Sequence, residues 1–214
     1  MTFDALKWLR DIGAAFVQLD SDARLVSSTA TVGTDQPALR RAQALASDAA
    51  VGTEVARSLL RDKVRGQASL RPELGGDQRP EFFDAALAEV EDAETVEQLL
   101  GVEAAAALAY WEAWRDFDVR FGARDRAAVP QHWLTFGQRH SPLTSSPRLA
   151  ANPPNAILNY LYSLLEAEAT LACHAVGLDP GLGVFHRDRK SRDSLALDVM
   201  EACRPAVDAY GPTP

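Results

Sequence analysis

The sequence predicts a mainly α protein with a small amino-terminal β-hairpin remnant, and three observations carry that prediction. Apolar residues make up 47% of the 214, alanine and leucine prominent among them, enough for a sizeable helical core. Long stretches in the second half repeat apolar side chains at three- and four-residue spacing, the period of a helix with one face inward. Only "AFVQLD" (15–20) and "RLVSST" (24–29) read as strands. The turn residues Ser21-Asp22 join them, and one hairpin cannot bury its own apolar face.

The elements follow in order. Thr2–Asp11 reads as a short helix stopped at Gly13, and the hairpin comes next. Asp35 and Pro37 open a helix over about 36–47, and Thr53 caps another that reaches about Leu70. "RPELGGDQRP" (71–80) reads as a loop, followed by a helix over 81–91. "TVEQ" (95–98) is a capping box that opens a long helix to Trp114. Residues 116–152, with Pro130, Pro142 and Pro147, form a connection long enough to imply function. Asn152-Pro153 opens a central helix closed by Gly177, and a last helix runs from 192 to Tyr210. The domain expectation is a partial β domain over 1–33 and a helical domain over 34–214.

The net charge of −8 argues on its face against nucleic acid as a partner. Its distribution reverses that inference. Eight acids and no Lys or Arg lie between Glu81 and Glu103, so the rest of the chain is neutral overall. A local basic face is therefore permitted. Cys173 and Cys203 lie in apolar helical sequence, and no zinc-type spacing exists. Met1–Gly13 lacks a basic start followed by an apolar run, so the reading is a cytoplasmic protein with buried thiols. The apolar stretch Ala156–Val176 contains Asn159, Glu166, Glu168 and His174; it reads as a buried central helix, with no role in a membrane.

Several carboxylates fall where a core should be. Glu103 shares a helix face with Val96, Leu99, Leu100, Ala107, Tyr110, Trp111 and Trp114. A buried acid there must be paired, protonated or metal-bound, because an uncompensated charge costs on the order of several kcal/mol; otherwise it is a partly exposed edge acid. On the last helix Ser194, Asp198 and Glu201 form a narrow polar stripe among apolar neighbours. That stripe is either a thin solvated edge or a pair of acids with a cation between them. His186, in the glycine-containing loop just before, is either a surface residue or a partner of those acids. One imidazole and two or three carboxylates suit Mg²⁺ or Mn²⁺ better than zinc, the usual equipment of phosphodiester chemistry. Arg187, Arg189, Lys190 and Arg192 either hold phosphates or balance charge in a solvated loop. A second scatter, Arg115, Arg120, Arg124, Arg126 and Arg139, is mixed with aspartates. No nucleophile elbow and no Gly-rich phosphate loop is present.

These segments resemble a known family. "LLGVEAAAALAYW" (99–111), "NPPNAILNYLYSLLEAE" (152–168) and "AVGLDPGLGVFHRDRKSRDSLALDVMEACRP" (175–205) are similar to the glutamate helix, the central helix and the histidine loop with its acidic helix in the CRISPR-associated endonuclease and integrase of spacer acquisition, the Cas protein numbered one. A weaker likeness continues through the hairpin and through "ARSLLRDKVRGQASL" (56–70). The resemblance implies that Glu103, His186 and Glu201 are metal ligands and that Asp198 assists them in catalysis. It implies a β-rich amino-terminal domain, a helical catalytic domain and a homodimer. It further implies double-stranded DNA as substrate and a small ferredoxin-like subunit of CRISPR adaptation as partner. The implied chemistry is attack of a 3′-hydroxyl of a captured fragment on a phosphodiester at a repeat edge. Family members are longer, so the expectation is a chain truncated at both ends, and residue 104 is Ala where many members have Gly. A DNA- or partner-binding protein without catalysis is the alternative reading.

Overall fold

The computed structural model describes residues 2–20, 25–29, 36–74, 80–139 and 149–210. The hairpin turn, the glycine pair of the 71–80 loop, His140 with the hydroxyl-rich 141–147 stretch, and the last four residues lie outside the described residues. The fold is mainly helical. Its elements run α1 (Phe3–Asp11), β1 (Phe16–Leu19), β2 (Leu25–Thr29), α2 (Pro37–Ala46), α3 (Ala50–Leu74), α4 (Pro80–Asp92), α5 (Val96–Trp114), α6 (Ala123–Arg126), α7 (Pro153–Ala175) and α8 (Ser194–Asp208), with a 3-10 turn at Gln131–Trp133.

The chain divides into two compact units. One comprises residues 1–59 and 163–201: α1, the hairpin, α2, the start of α3, the second half of α7, the histidine loop and the first half of α8. The strands pair antiparallel from Phe16↔Thr29 to Leu19↔Leu25, with a bulge between Gln18 and Leu19. Thr2 caps α1 by accepting from the Ala5 N–H. The unit's buried apolar side chains include Ala167, Cys173, Phe185, Leu195 and Met200.

The other unit comprises residues 60–162 and 202–214. Here α4 packs against α5, and Arg61 on α3 grips the Glu91 carboxylate of α4 with two bonds of 2.5 and 2.7 Å. The expected capping box is present at the start of α5: Thr95 accepts from Gln98 N, and the Gln98 side chain accepts from the Thr95 N–H. The core stripe of α5 is Leu99, Val102, Ala106, Tyr110 and Trp114. Gly66 on α3 meets Pro205 of α8; a Cβ at residue 66 would stand 2.7 Å from the Pro205 Cβ, closer than carbon atoms pack.

Expectations for α3, α7 and Cys203 are corrected. Helix α3 starts at Ala50 and runs to Leu74, so Thr53 is a helical residue and the loop read over 71–80 begins later. Pro72 falls within the last turn of that helix, two residues before its end. Within the described part of the 116–152 connection, an antiparallel bridge joins Asp118↔Thr135, flanked by Val119 N–H to Leu134 O and Phe136 N–H to Phe117 O at 2.9 Å each. Helix α7, expected as a buried central helix, exposes Ile157 and Tyr160. Cys173 is buried and Cys203 is exposed; both are free thiols. Among the described residues no helix is long and apolar enough to cross a membrane.

Candidate active site

The loop between α7 and α8 wraps a carboxylate. Asp198, on the first turns of α8, is 0% exposed. Its Oδ2 accepts from the backbone N–H groups of Val184 at 2.6 Å and Phe185 at 2.9 Å, and its Oδ1 accepts from His186 N–H at 2.7 Å. A chain of three successive N–H donors can close on one carboxylate only where the backbone comes very near it. Gly183 allows that approach: a Cβ there would lie 2.6 Å from His186 O, 2.8 Å from Ser194 Cβ and 3.0 Å from Asp198 Oδ2.

The fourth contact fixes the histidine. His186 Nδ1 stands 2.7 Å from Asp198 Oδ1. Both carboxylate oxygens already act as acceptors, so Nδ1 is the donor, and neutral imidazole then keeps its lone pair on Nε2. A histidine held this way through one nitrogen by a carboxylate has the tautomer and orientation that metal-binding histidines require. Farther back, Gln43 of α2 holds the start of the loop. Its Nε2 donates to Asp179 O at 2.7 Å and to Leu182 O at 3.0 Å, and its Oε1 accepts from Asp179 N–H at 2.9 Å.

The polar stripe of α8 is not a solvated edge. Ser194 and Asp198 are fully buried, and Glu201 is 3% exposed. Beside the stripe, Thr170 Oγ1 donates to Asp193 Oδ2 at 3.3 Å. The basic run splits. Arg187, Arg189 and Lys190 are exposed, whereas Arg192 turns inward to donate to Arg187 O and, at 3.2 Å, to Ser194 Oγ. That arginine braces the loop.

Glu103 belongs to the second unit. Seven of the eight acids between residues 81 and 103 are exposed, and Glu103 alone is half-buried. Its side chain is 24% exposed and accepts from Lys63 Nζ at 2.5 Å; the lysine side chain is 5% exposed. So the acid on the α5 face is paired, and its partner is a lysine. Lys63 itself went unremarked in the sequence, although it falls between Leu60 and Val64 on the buried stripe of α3 and could have been read as a core cation in need of an acid.

Sequence reasoning also missed a buried cluster in the same unit. Tyr110 donates to Asp208 Oδ2 at 2.8 Å, and Tyr162 donates to Asp208 Oδ1. Arg139 lies over the Trp111 ring at 4.7 Å and over Tyr162 at 5.4 Å, and it donates to Asn155 and Asn159 at 3.2 Å each. Burial pushes the Asp208 carboxyl up, against the pull of both tyrosines, and burial with the nearby Asp208 pushes both phenols up. Burial lowers Arg139. This arginine, counted in the sequence with a basic scatter, is half-buried against two aromatic rings.

The described residues contain no ready group of three His, Cys, Asp or Glu donors arranged as a metal cage. His186, Asp198 and Glu201 lie in one unit and Glu103 in the other. Imidazole nitrogen and carboxylate oxygen are donor types that suit a hard divalent ion, and each unit supplies such donors by itself.

A family description, CRISPR associated protein Cas1, matches residues 1–210. The CRISPR-associated endonuclease Cas1 2 of Rhodospirillum rubrum is 32% identical over 214 residues, which covers 91% of this chain and 56% of that protein. A casposase structure bound to integration product is 26% identical, with a TM-score of 0.65 over 98% of this chain and 59% of that one. A Cas1 protein from Thermotoga maritima has the same fold, with a TM-score of 0.72 at 19% identity, covering 98% of this chain and 63% of that one. The class these similarities define is that of CRISPR-associated proteins with a mainly helical domain. Within it, the chain belongs to the Cas1 family. It spans less than two thirds of the length of each of these relatives.

Proposed function

We propose that this chain is the helical part of a divalent-metal-dependent DNA endonuclease and integrase of CRISPR adaptation. The observation that carries the proposal is the buried Asp198 holding His186 by its Nδ1, one turn from the buried Glu201, in a protein 32% identical to a Cas1 endonuclease. The likeness to a casposase bound to integration product supports joining as well as cutting.

In this reading Glu103, His186 and Glu201 hold Mg²⁺ or Mn²⁺. The ion supplies polarisation of a phosphoryl oxygen and alignment of the attacking oxygen. Asp198 positions the His186 ring through its Nδ1. Arg187, Arg189 and Lys190 carry exposed positive charge to DNA phosphates, and Arg192 keeps their loop in shape while adding to its charge. Double-stranded DNA, a second copy of the chain and a small ferredoxin-like adaptation subunit are the proposed partners, in the cytoplasm. Glu103→Ala and His186→Ala are expected to abolish Mn²⁺-dependent cutting and joining of duplex DNA by the purified protein. Cleavage unchanged in both variants sinks the assignment, and DNA binding that ignores Mn²⁺ with no cutting by the native protein favours a binding role alone.

A further inference from the structure

We infer that Lys63 is a resident cation at the Glu103 carboxylate: its ammonium pairs with and orients Glu103 and competes with a divalent ion for that carboxylate. The inference rests on the reading of Glu103 as a metal ligand. Three observations carry it. Lys63 and Glu103 come from helices α3 and α5, forty residues apart, and meet at 2.5 Å between Nζ and Oε1. The lysine occupies the core-facing stripe of α3 with Leu60 and Val64, both 2% exposed or less, although Asp62 and Arg65 on the same helix reach solvent. Of the eight acids in the 81–103 segment, the one it meets is the half-buried one.

A lysine on such a stripe is costly. Removing an ammonium from water is repaid only by a close anion, and lysine is almost never fully buried without one. A surface ion pair would need no such placement, since exposed pairs contribute little. The consequence for an arriving ion follows from Coulomb repulsion. A divalent cation bound to the Glu103 carboxylate sits within a few ångströms of a fixed positive charge in a half-dry setting, where the repulsion is far larger than in bulk water. The same ammonium therefore holds the Glu103 carboxylate in place before the ion binds and weakens the ion's hold afterwards. Tight enough to assemble and loose enough to exchange is the balance this pair sets.

The test is Mn²⁺ binding, followed by the electron paramagnetic resonance of free Mn²⁺, together with thermal melting in EDTA and in Mn²⁺. Lys63→Met keeps the length of the side chain and removes its charge. It is expected to tighten Mn²⁺ binding on the order of tenfold. It is also expected to lower the melting temperature in EDTA by about 2–8 °C and to enlarge the rise in melting temperature that Mn²⁺ produces. Lys63→Gln, which retains a donor, changes both in the same direction by less and serves if Lys63→Met does not fold. In Glu103→Gln combined with Lys63→Met, the tightening disappears. Mn²⁺ binding unchanged or weakened in Lys63→Met and in Lys63→Gln overturns the inference, since an ion pair of purely structural role loses stability without gaining metal. Glu103→Gln alone separates the two readings: if it leaves Mn²⁺ binding intact, the ligand assignment fails and the inference with it. If it abolishes binding while the Lys63 variants bind as the native protein does, only the role of Lys63 fails.

Discussion

Asp198 and Asp208 lie ten residues apart on the same helix, both buried, and they are satisfied in opposite ways. Asp198 accepts from the backbone of the loop just before its own helix, from partners 12 to 14 residues away, and the fourth contact is the ring of that loop's histidine. Asp208 accepts from two tyrosine hydroxyls brought from 98 and 46 residues away, with Arg139 and Arg204 stacked on Tyr162. The first arrangement is a local wrap that leaves a ring nitrogen available outward. The second is knit from distant parts of the chain: both carboxylate oxygens are taken by tyrosine hydroxyls, and the guanidinium of Arg139 is held by Asn155 and Asn159. An acid buried by its own loop positions a reactive group here, and an acid buried by distant helices holds the core.

The largest expected effect separates those roles. Asp198→Ala strands three buried N–H groups and frees His186, with a cost of about 3 kcal/mol or more and loss of metal-dependent cleavage; chemical denaturation and a cleavage assay read the two effects. Asp208→Ala strands two tyrosine hydroxyls, at about 2–4 kcal/mol, and cleavage per folded molecule stays near the native level. Gly183→Ala puts a methyl against His186 O, Ser194 and Asp198, and is expected to cost about 1–3 kcal/mol in the same denaturation experiment. Preserved stability in that variant would break the idea that the loop closes tightly on Asp198.

Smaller effects sharpen the contrast. The Asp208 carboxyl is raised by burial, so the folded state favours its protonated form. The stability this confers is fully present below the ordinary aspartate range and is lost as pH rises through the raised value. The native protein is accordingly expected to gain stability over Asp208→Asn as pH falls from neutral toward the ordinary range, read by denaturation at several pH values. Cys173 reports on the other acid. Burial, with Asp193 and Asp198 nearby, pushes its thiol up to about 11. Its alkylation is expected to be slow in the native protein, faster in Asp198→Ala and unchanged in Asp208→Ala, as read by mass spectrometry.

The same contrast explains what could be read from sequence. The Thr95 capping box, the α8 stripe and the His186 loop are local patterns whose partners lie within a few turns, and each stood out as periodicity broken by a polar residue. Whether that stripe was solvated or buried could not be read, because burial depends on what packs against α8. Arg139 looked like one basic residue among several and proved to be stacked on Trp111 and Tyr162, which no spacing along the chain could suggest. Lys63 was half legible: its place on an apolar stripe was visible, its acid forty residues on was not. Helix α3 overruns its expected end near Leu70: the turn-rich composition of "RPELGGDQRP" reads as a loop from its first residue, whereas the helix continues to Leu74.

The central claim is that Asp198 positions His186 for metal-dependent chemistry and that Asp208 serves the core alone. The most direct measurement compares Asp198→Asn with Asp208→Asn in Mn²⁺-dependent DNA cleavage, normalised to folded protein by circular dichroism. An amide at residue 198 must turn an N–H₂ toward a backbone N–H or toward the His186 ring, so the account predicts cleavage reduced by about a hundredfold, with Asp208→Asn within a few-fold of native. Equal activity in the two variants would contradict it.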